Sequence, residues 1–195
     1  MNQKLSICVY CGSRSGVSPA YVQAAQQVGQ WLGSHQIRLV YGGGNAGLMG
    51  TVANAALAAG GEVYGIIPQS LIKKEQGHRG ITELRIVDTM HQRKQAMAQA
   101  SDAFLALPGG IGTFEEFFEV WTWRQLAYHD NPIGLLNVDG YYDGLLNFMQ
   151  TGVNAGFMNQ EQLSYLTIES QVEPMMEKLT QLMQQPSQAD SYHAI

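Results

Sequence analysis

No stretch of the 195-residue chain approaches the ~18 consecutive apolar residues of a membrane-crossing helix, so a bilayer-spanning segment is excluded. Charge is scarce as well. Asp, Glu, Lys and Arg make up 14% of residues against a usual ~25%, while hydrophobic residues reach 45%, a combination that excludes a disordered chain. A net charge of -5 argues against nucleic acid or an anionic membrane as partner. Cysteine is limited to Cys8 and Cys11, with no secretory leader pattern before them, which excludes a disulfide scaffold and makes a reduced, cytoplasmic setting the expectation. Their Cys-x-x-Cys spacing lacks the second ligand pair of a zinc site, and Cys8 falls inside an apolar strand pattern where a redox pair would need a helix start. Core packing and loop filling account for both, and no metal is expected.

Glycine, by contrast, is abundant, with 22 of 195 residues. The sparse charge is also unevenly placed. Lys73, Lys74, Arg79, Arg85, Arg93 and Lys94 face only Glu75, Glu83 and Asp88 in the same stretch, so residues 73–94 carry +3 and the remainder -8.

Short apolar runs alternate with helical patterns along the chain. Strands are expected at Leu5–Tyr10, Ile37–Tyr41, Glu62–Ile67, Leu84–Val87, Ala103–Leu107 and Ile133–Leu136. Helices are expected near Pro19–His35, Leu48–Ala59, Met90–Ala100 and Phe114–Tyr128, then up to Asn154, and over Val172–Gln184. Continuous apolar strands separated by helices predict an α/β, Rossmann-like, doubly wound and mainly parallel sheet covered on both faces. The length suits one catalytic domain over residues 1–184, with 185–195 as a dispensable tail.

Three glycine-rich turns each follow a strand and precede a helix: Cys11–Gly16, Gly42–Gly47 and Gly109–Gly112. In an open parallel sheet such strand ends are where ligands bind, and a helix N-terminus offers unpaired amides and partial positive charge to an anion. A phosphorylated ligand is therefore expected. Gly42-x-Gly44-x-x-Gly47 matches a dinucleotide fingerprint formally, but it follows the second strand, and the next strand ends in Ile66-Ile67-Pro68-Gln69 with no acid to hold a ribose. No Gly-Lys-Ser/Thr closes either loop, so a P-loop is unsupported as well.

Thr113-Phe-Glu-Glu116 reads as a capping box, with Thr113 as N-cap and Glu116 at the third helical position. Glu115, Glu116 and Glu119 nevertheless stand among Phe114, Phe117, Phe118, Val120, Trp121 and Trp123 on a helix that must be largely buried in a core or subunit interface. A carboxylate there needs a partner or a task. Arg93 and Lys94 are the matching oddity, since cations early in the helix capped by Thr89 and Gln92 oppose its dipole by up to ~1 kcal/mol each. A solvated basic face explains Lys73, Lys74 and Arg79 better than it explains Arg93, which flanks the same strand as the Pro108 loop and could reach Glu116 or a ligand between them.

Pro108-Gly-Gly-Ile-Gly-Thr-Phe-Glu-Glu116 resembles the PGGxGTxxE motif of the LOG (Lonely Guy) family, the cytokinin riboside 5'-monophosphate phosphoribohydrolases. Cys11-Gly-Ser13, Tyr41-Gly-Gly-Gly44 with Gly47-Leu-Met-Gly50, Met90-His-Gln-Arg-Lys94 and Leu135-Leu-Asn-Val-Asp-Gly-Tyr-Tyr142 are similar to family segments in the family's order. The resemblance runs from roughly Leu5 to Leu182. Such proteins often carry the label lysine decarboxylase, but no lysine here has the Schiff-base setting a pyridoxal enzyme needs.

The resemblance implies hydrolysis of the N-glycosidic bond of AMP or an N6-substituted AMP to free base and ribose 5-phosphate, without a cofactor and in a homodimer. It implies Arg93 and Glu116 as the catalytic pair, and substrate contacts from Glu75, Arg93, Lys94, Gly110, Ile111, Gly112, Thr113, Phe114, Glu115, Glu116 and Thr122. Glu75 aligns loosely, and Arg14 departs from the family pattern after Cys-Gly-Ser. Ser13, Gly43, Gly44 and Met49 are further pocket candidates, and the amides of Gly110, Gly112 and Thr113 with the Thr113 hydroxyl are the expected phosphate site. A nucleotide-sensing module without catalysis, and a general AMP nucleosidase of nucleotide salvage, both stay open on the sequence.

Overall fold

The computed structural model describes residues 4–73 and 76–185. Seven strands form a single sheet: β1 (Ser6–Tyr10), β2 (Arg38–Tyr41), β3 (Val63–Pro68), β4 (Glu83–Val87), β5 (Ala103–Ala106), β6 (Ile133–Leu136) and β7 (Leu166–Glu169). Every pairing is parallel, in the order β4-β3-β2-β1-β5-β6-β7. Between them run α1 (Pro19–Ser34), α2 (Gly47–Ala58), α3 (Met90–Gln99), α4 (Ile111–Gln125), α5 (Asp143–Asn154) and α6 (Gln160–Ser164), and α7 (Val172–Met183) follows the last strand.

A strand buried on both faces must be apolar at every position, and side chains alternate between the faces. β1 illustrates this: Ile7 and Val9 join the core under α1, α2 and α7, whereas Cys8 and Tyr10 join the one under α3, α4 and α5. Where α1 meets α2 the helices come unusually close. A Cβ at Gly29 would lie 2.4 Å from Val52 O, and one at Gly33 2.6 Å from Ala56 O, so glycine is required there by packing alone.

The chain winds outward from β1 to β4, then returns through α3 to β5 on the other side of β1. Strand order reverses between β1 and β5. The loops leaving these two strands are joined by Gly12 N donating to Pro108 O at 3.1 Å, and Leu48 N at the start of α2 donates to Gly12 O at 3.0 Å. The expected Rossmann-like α/β class is the observed one.

Four local expectations change. α4 begins at Ile111 with Gly110 as its N-cap, so Thr113 lies inside the first turn and makes no capping box with Glu116. Thr89 does cap α3, accepting from Gln92 N at 3.2 Å, but Gln92 Oε1 reaches back to Asp88 N rather than to the cap's own amide. β7 and α6 were not expected, being four and five residues long at the sheet's edge, too short for a periodic signal. The proposed tail from Gln185 lies, beyond its first residue, outside the described residues.

Buried His129 ties the end of α4 to the loop before β6. Its Nε2 donates to Val120 O at 2.9 Å and its Nδ1 accepts from Asn131 N at 3.1 Å, an arrangement open only to the neutral ring. Burial depresses its pKa from 6.5 to about 4, with the nearby Arg124 charge adding to the effect. Between these values the unfolded chain binds the proton and the folded one does not. This residue's contribution is therefore fully present above pH 6.5, falls as pH drops toward 4, and is flat below that. Urea unfolding followed from pH 7 to pH 4 should show wild type losing up to about 3 kcal/mol more stability than His129→Gln over the interval.

Candidate functional site

A cavity of about 840 Å³ opens at the reversal point between β1 and β5. One wall is the loop after β1, Cys11 to Gly16, with Tyr21 from α1 behind it. The opposite wall is the Pro108–Gly110 loop and the first two turns of α4, where Ile111, Gly112, Thr113, Glu115 and Glu116 face in. Met49 and Leu48 enter from α2, Met90 and Arg93 from α3, and Leu71 and Tyr141 close the ends.

Arg93 is 5% exposed and projects from the first turn of α3 across to the end of β2, where Nη2 donates to Gly42 O at 3.1 Å. A Cβ at Gly42 would lie 1.9 Å from that Nη2, so the glycine makes room for the guanidinium. Glu116 is half-buried on the facing helix and lines the same cavity. Its charge reaches Cys8 and Cys11, where burial first and then the carboxylate push both thiol pKa values far up. The Cys-x-x-Cys pair is thus two free, buried, protonated thiols, Cys11 forming part of the cavity floor.

Lys94 takes a different course. Its Nζ lies 2.6 Å from Glu115 Oε1 and 2.7 Å from Glu119 Oε1, binding α3 to α4 beside the cavity that Glu115 helps to line. Burial works to lower the lysine's pKa, but the two carboxylates outweigh it and hold the ammonium charged. This bridge engages Glu115 and Glu119, and Glu115 and Glu116 both line the cavity.

The glycines of the two loops differ in what they face. Gly43, at φ 78°, accepts from His78 N at 2.8 Å through its carbonyl and packs on Ile67 and Leu84, while Gly44 bridges to Gly77. Both lie under the 76–80 segment rather than in the cavity wall. Gly47, at φ 57°, packs against Ser13 and Arg14, and Gly109 against the Thr113 side chain. A Cβ on Gly110 or Gly112 would meet nothing within 4 Å, and neither has positive φ. The fold therefore gives no reason for glycine at these two positions.

Of the other expected site residues, Ser13 and Met49 do line the cavity. Phe114 turns instead to Tyr142, with ring centroids 6.3 Å apart. Thr122 is exposed two turns further along α4 and donates to Phe118 O at 2.7 Å. Glu75 lies outside the described residues. Tyr21, Leu71, Met90 and Tyr141 line the cavity without having been named as site residues, although Met90 and Tyr141 lie in two of the family-like segments.

A doubly wound parallel sheet with a cavity of about 840 Å³ at the reversal of strand order, against a glycine-rich helix start, defines a Rossmann-like protein of the kind that holds its ligand beyond the strand ends. A family model described as "Possible lysine decarboxylase" matches residues 49–179. The cytokinin riboside 5'-monophosphate phosphoribohydrolase LOG7 of Arabidopsis thaliana is 52% identical over 153 residues, covering 78% of this chain and 70% of its own. The probable cytokinin riboside 5'-monophosphate phosphoribohydrolase LOGL2 of Oryza sativa subsp. japonica is 46% identical over 173 residues, 89% of this chain and 71% of its own. The chain belongs to this family, the LOG family. Its fold also matches the molybdenum cofactor binding protein from Rippkaea orientalis, with a TM-score of 0.71 at 22% identity over 94% of this chain and 99% of that one.

Replacing Gly42 by alanine should displace Arg93 and lower stability by roughly 1–3 kcal/mol in urea unfolding, as overpacking of a filled site does. The same change at Gly112, in a helix with open space beside it, should be neutral or stabilising by up to ~1 kcal/mol.

Proposed function

We propose that this protein hydrolyses the N-glycosidic bond of AMP or an N6-substituted AMP, adding water across the bond to give the free base and ribose 5-phosphate. The observation that carries the reading is the pair of glycines, Gly110 and Gly112, that packing does not require, at a helix start beside Arg93 and Glu116. A phosphate approaching the first amides of α4 is what such bare backbone admits. The phosphoribohydrolase names of relatives at about half identity support the substrate class.

The amides of Gly110, Gly112 and Thr113, with the Thr113 hydroxyl, hold the phosphate. Departure of the base leaves an oxocarbenium-like sugar. Glu116 stabilises that developing charge and orients or deprotonates the attacking water, as carboxylates do in glycoside hydrolysis. Arg93, fixed on Gly42 O, positions the ribose phosphate and balances the carboxylate. These roles need no cofactor. The setting is the reducing cytoplasm, in which Cys8 and Cys11 stay as free thiols.

A homodimer is the proposed working form. Ile111, 85% exposed, is followed by Glu115, Phe118, Thr122 and Leu126 along one exposed face of α4 that starts at the cavity rim and is apolar at Ile111, Phe118 and Leu126. A second copy of this chain seated there closes the rim and brings Thr122 into the shared interface.

AMP, isopentenyl-AMP and adenosine are incubated with the protein and free base is followed by chromatography. Both nucleotides should be cleaved, and AMP should exceed adenosine by more than roughly a hundredfold in kcat/KM, because binding at the remote phosphate drives orientation at the sugar. Equal turnover of adenosine, or none of any nucleotide, overturns this reading, and persistence of bound AMP over hours leaves a binding module instead. Glu116→Gln should lower kcat by roughly a hundredfold or more with the fold intact. Gly112→Ala should weaken AMP while leaving the protein as stable or more so. Light scattering should give twice the monomer mass, and Phe118→Asp should shift it toward monomer.

A further inference from the structure

The turn after β6 has no part in the chemistry proposed above, yet it grips the loop assigned to the phosphate. Two consecutive tyrosines reach it. Tyr142, buried, donates its hydroxyl to Leu107 O at 2.7 Å, and Tyr141, on the cavity rim, donates its hydroxyl to Gly109 O. The turn is braced in its own right. Asn137 Oδ1 accepts from Tyr142 N at 2.7 Å, and Asp139, held at φ 51°, accepts from Ser18 Oγ at the cap of α1 at 3.1 Å. The Tyr141 ring meets Tyr21 edge-on at 5.6 Å and Tyr142 at 4.9 Å, which fixes where its hydroxyl points.

The carbonyl that Tyr141 engages belongs to the peptide between Gly109 and Gly110. The torsions on either side are those of glycines, the residues least able to hold a peptide plane by themselves. In a planar trans peptide, fixing the oxygen also fixes the N–H at the other end, and a hydrogen bond accepted by the carbonyl polarises that N–H. We propose that Tyr141 is a positioning residue for anion recognition: its hydroxyl locks the Gly109–Gly110 peptide plane and so aims the Gly110 N–H at a bound phosphate. The inference rests on the phosphate reading of that loop. A donor aimed in advance has no ordering cost when the anion arrives.

Tyr141→Phe keeps the ring against Tyr21 and Tyr142 and removes the hydroxyl. Affinity for inorganic phosphate, the KM and kcat for AMP, and the thermal midpoint are measured on wild type, Tyr141→Phe and Tyr142→Phe. In Tyr141→Phe the phosphate Kd and the AMP KM should each rise roughly five- to tenfold, with a smaller change in kcat and a midpoint within about 2 °C of wild type. Tyr142→Phe, which strips a buried carbonyl of its donor, should lower the midpoint instead and leave phosphate affinity near wild type. Unchanged phosphate affinity in Tyr141→Phe overturns the inference, as does weakening matched by a midpoint loss like that of Tyr142→Phe. If wild type releases no base but Tyr141→Phe still weakens phosphate, the hydrolase reading falls and the positioning role stands. If wild type binds no phosphate, both fall.

Discussion

A buried guanidinium bonded to a backbone carbonyl sits where the two halves of the sheet part. α3 is the one connection that crosses from the β4 side to the β5 side, and Arg93 in its first turn reaches back to Gly42 O at the end of β2. A cation so placed pays twice, once for leaving water and once for opposing the helix dipole. Its surroundings follow from that cost. Gly42 has no Cβ because Arg93 Nη2 would stand 1.9 Å from it, and the cavity that Arg93 lines also holds a half-buried carboxylate, Glu116. One buried positive charge and one negative charge facing a common space form an arrangement that a single phosphate dianion and a cationic sugar would complete.

The low charge content gains its meaning from this economy. Most exposed ion pairs contribute little, and Lys4 and Arg38 with Glu62 are of that kind. Lys94 is more deeply set, and it draws Glu115 and Glu119 to itself, fastening α3 to α4 beside the cavity that Glu115 and Glu116 line. The cavity lining and the bridge between helices thus come from neighbouring residues of two short segments, 93–94 and 115–119.

The sheet was readable from sequence because most of its strands are short apolar runs, β1, β2 and β5 leading into glycine-rich turns, and their alternation with helices leaves few topologies. β7 escaped because Leu166–Glu169 is a half-exposed edge strand of four residues. The start of α4 was placed three residues late for a physical reason. Thr113 has the chemistry of a cap, but Gly109 leaves a hole that its side chain fills, so the helix starts at Gly110 and draws Thr113 inside. Arg93 and Glu116 were legible as violations of local rules, a cation at a helix start and an acid on an apolar helix. Tyr141 was not, because a tyrosine in a turn violates nothing; only its hydroxyl's reach across 32 residues of chain to Gly109 O distinguishes it.

The glycine excess divides along the same line between packing and ligand. Gly29 and Gly33 serve the contact of α1 with α2, Gly42 serves Arg93, and Gly43, Gly44 and Gly47 serve turns and neighbouring loops. A fold that needed glycine only for these purposes would carry alanine at 110 and 112, since a Cβ there meets nothing and, within the helix, alanine at 112 is the better helix former. Two residues that stability does not ask for, next to two side chains that stability tolerates at a cost, are what the proposed phosphate site requires at the first turn of α4.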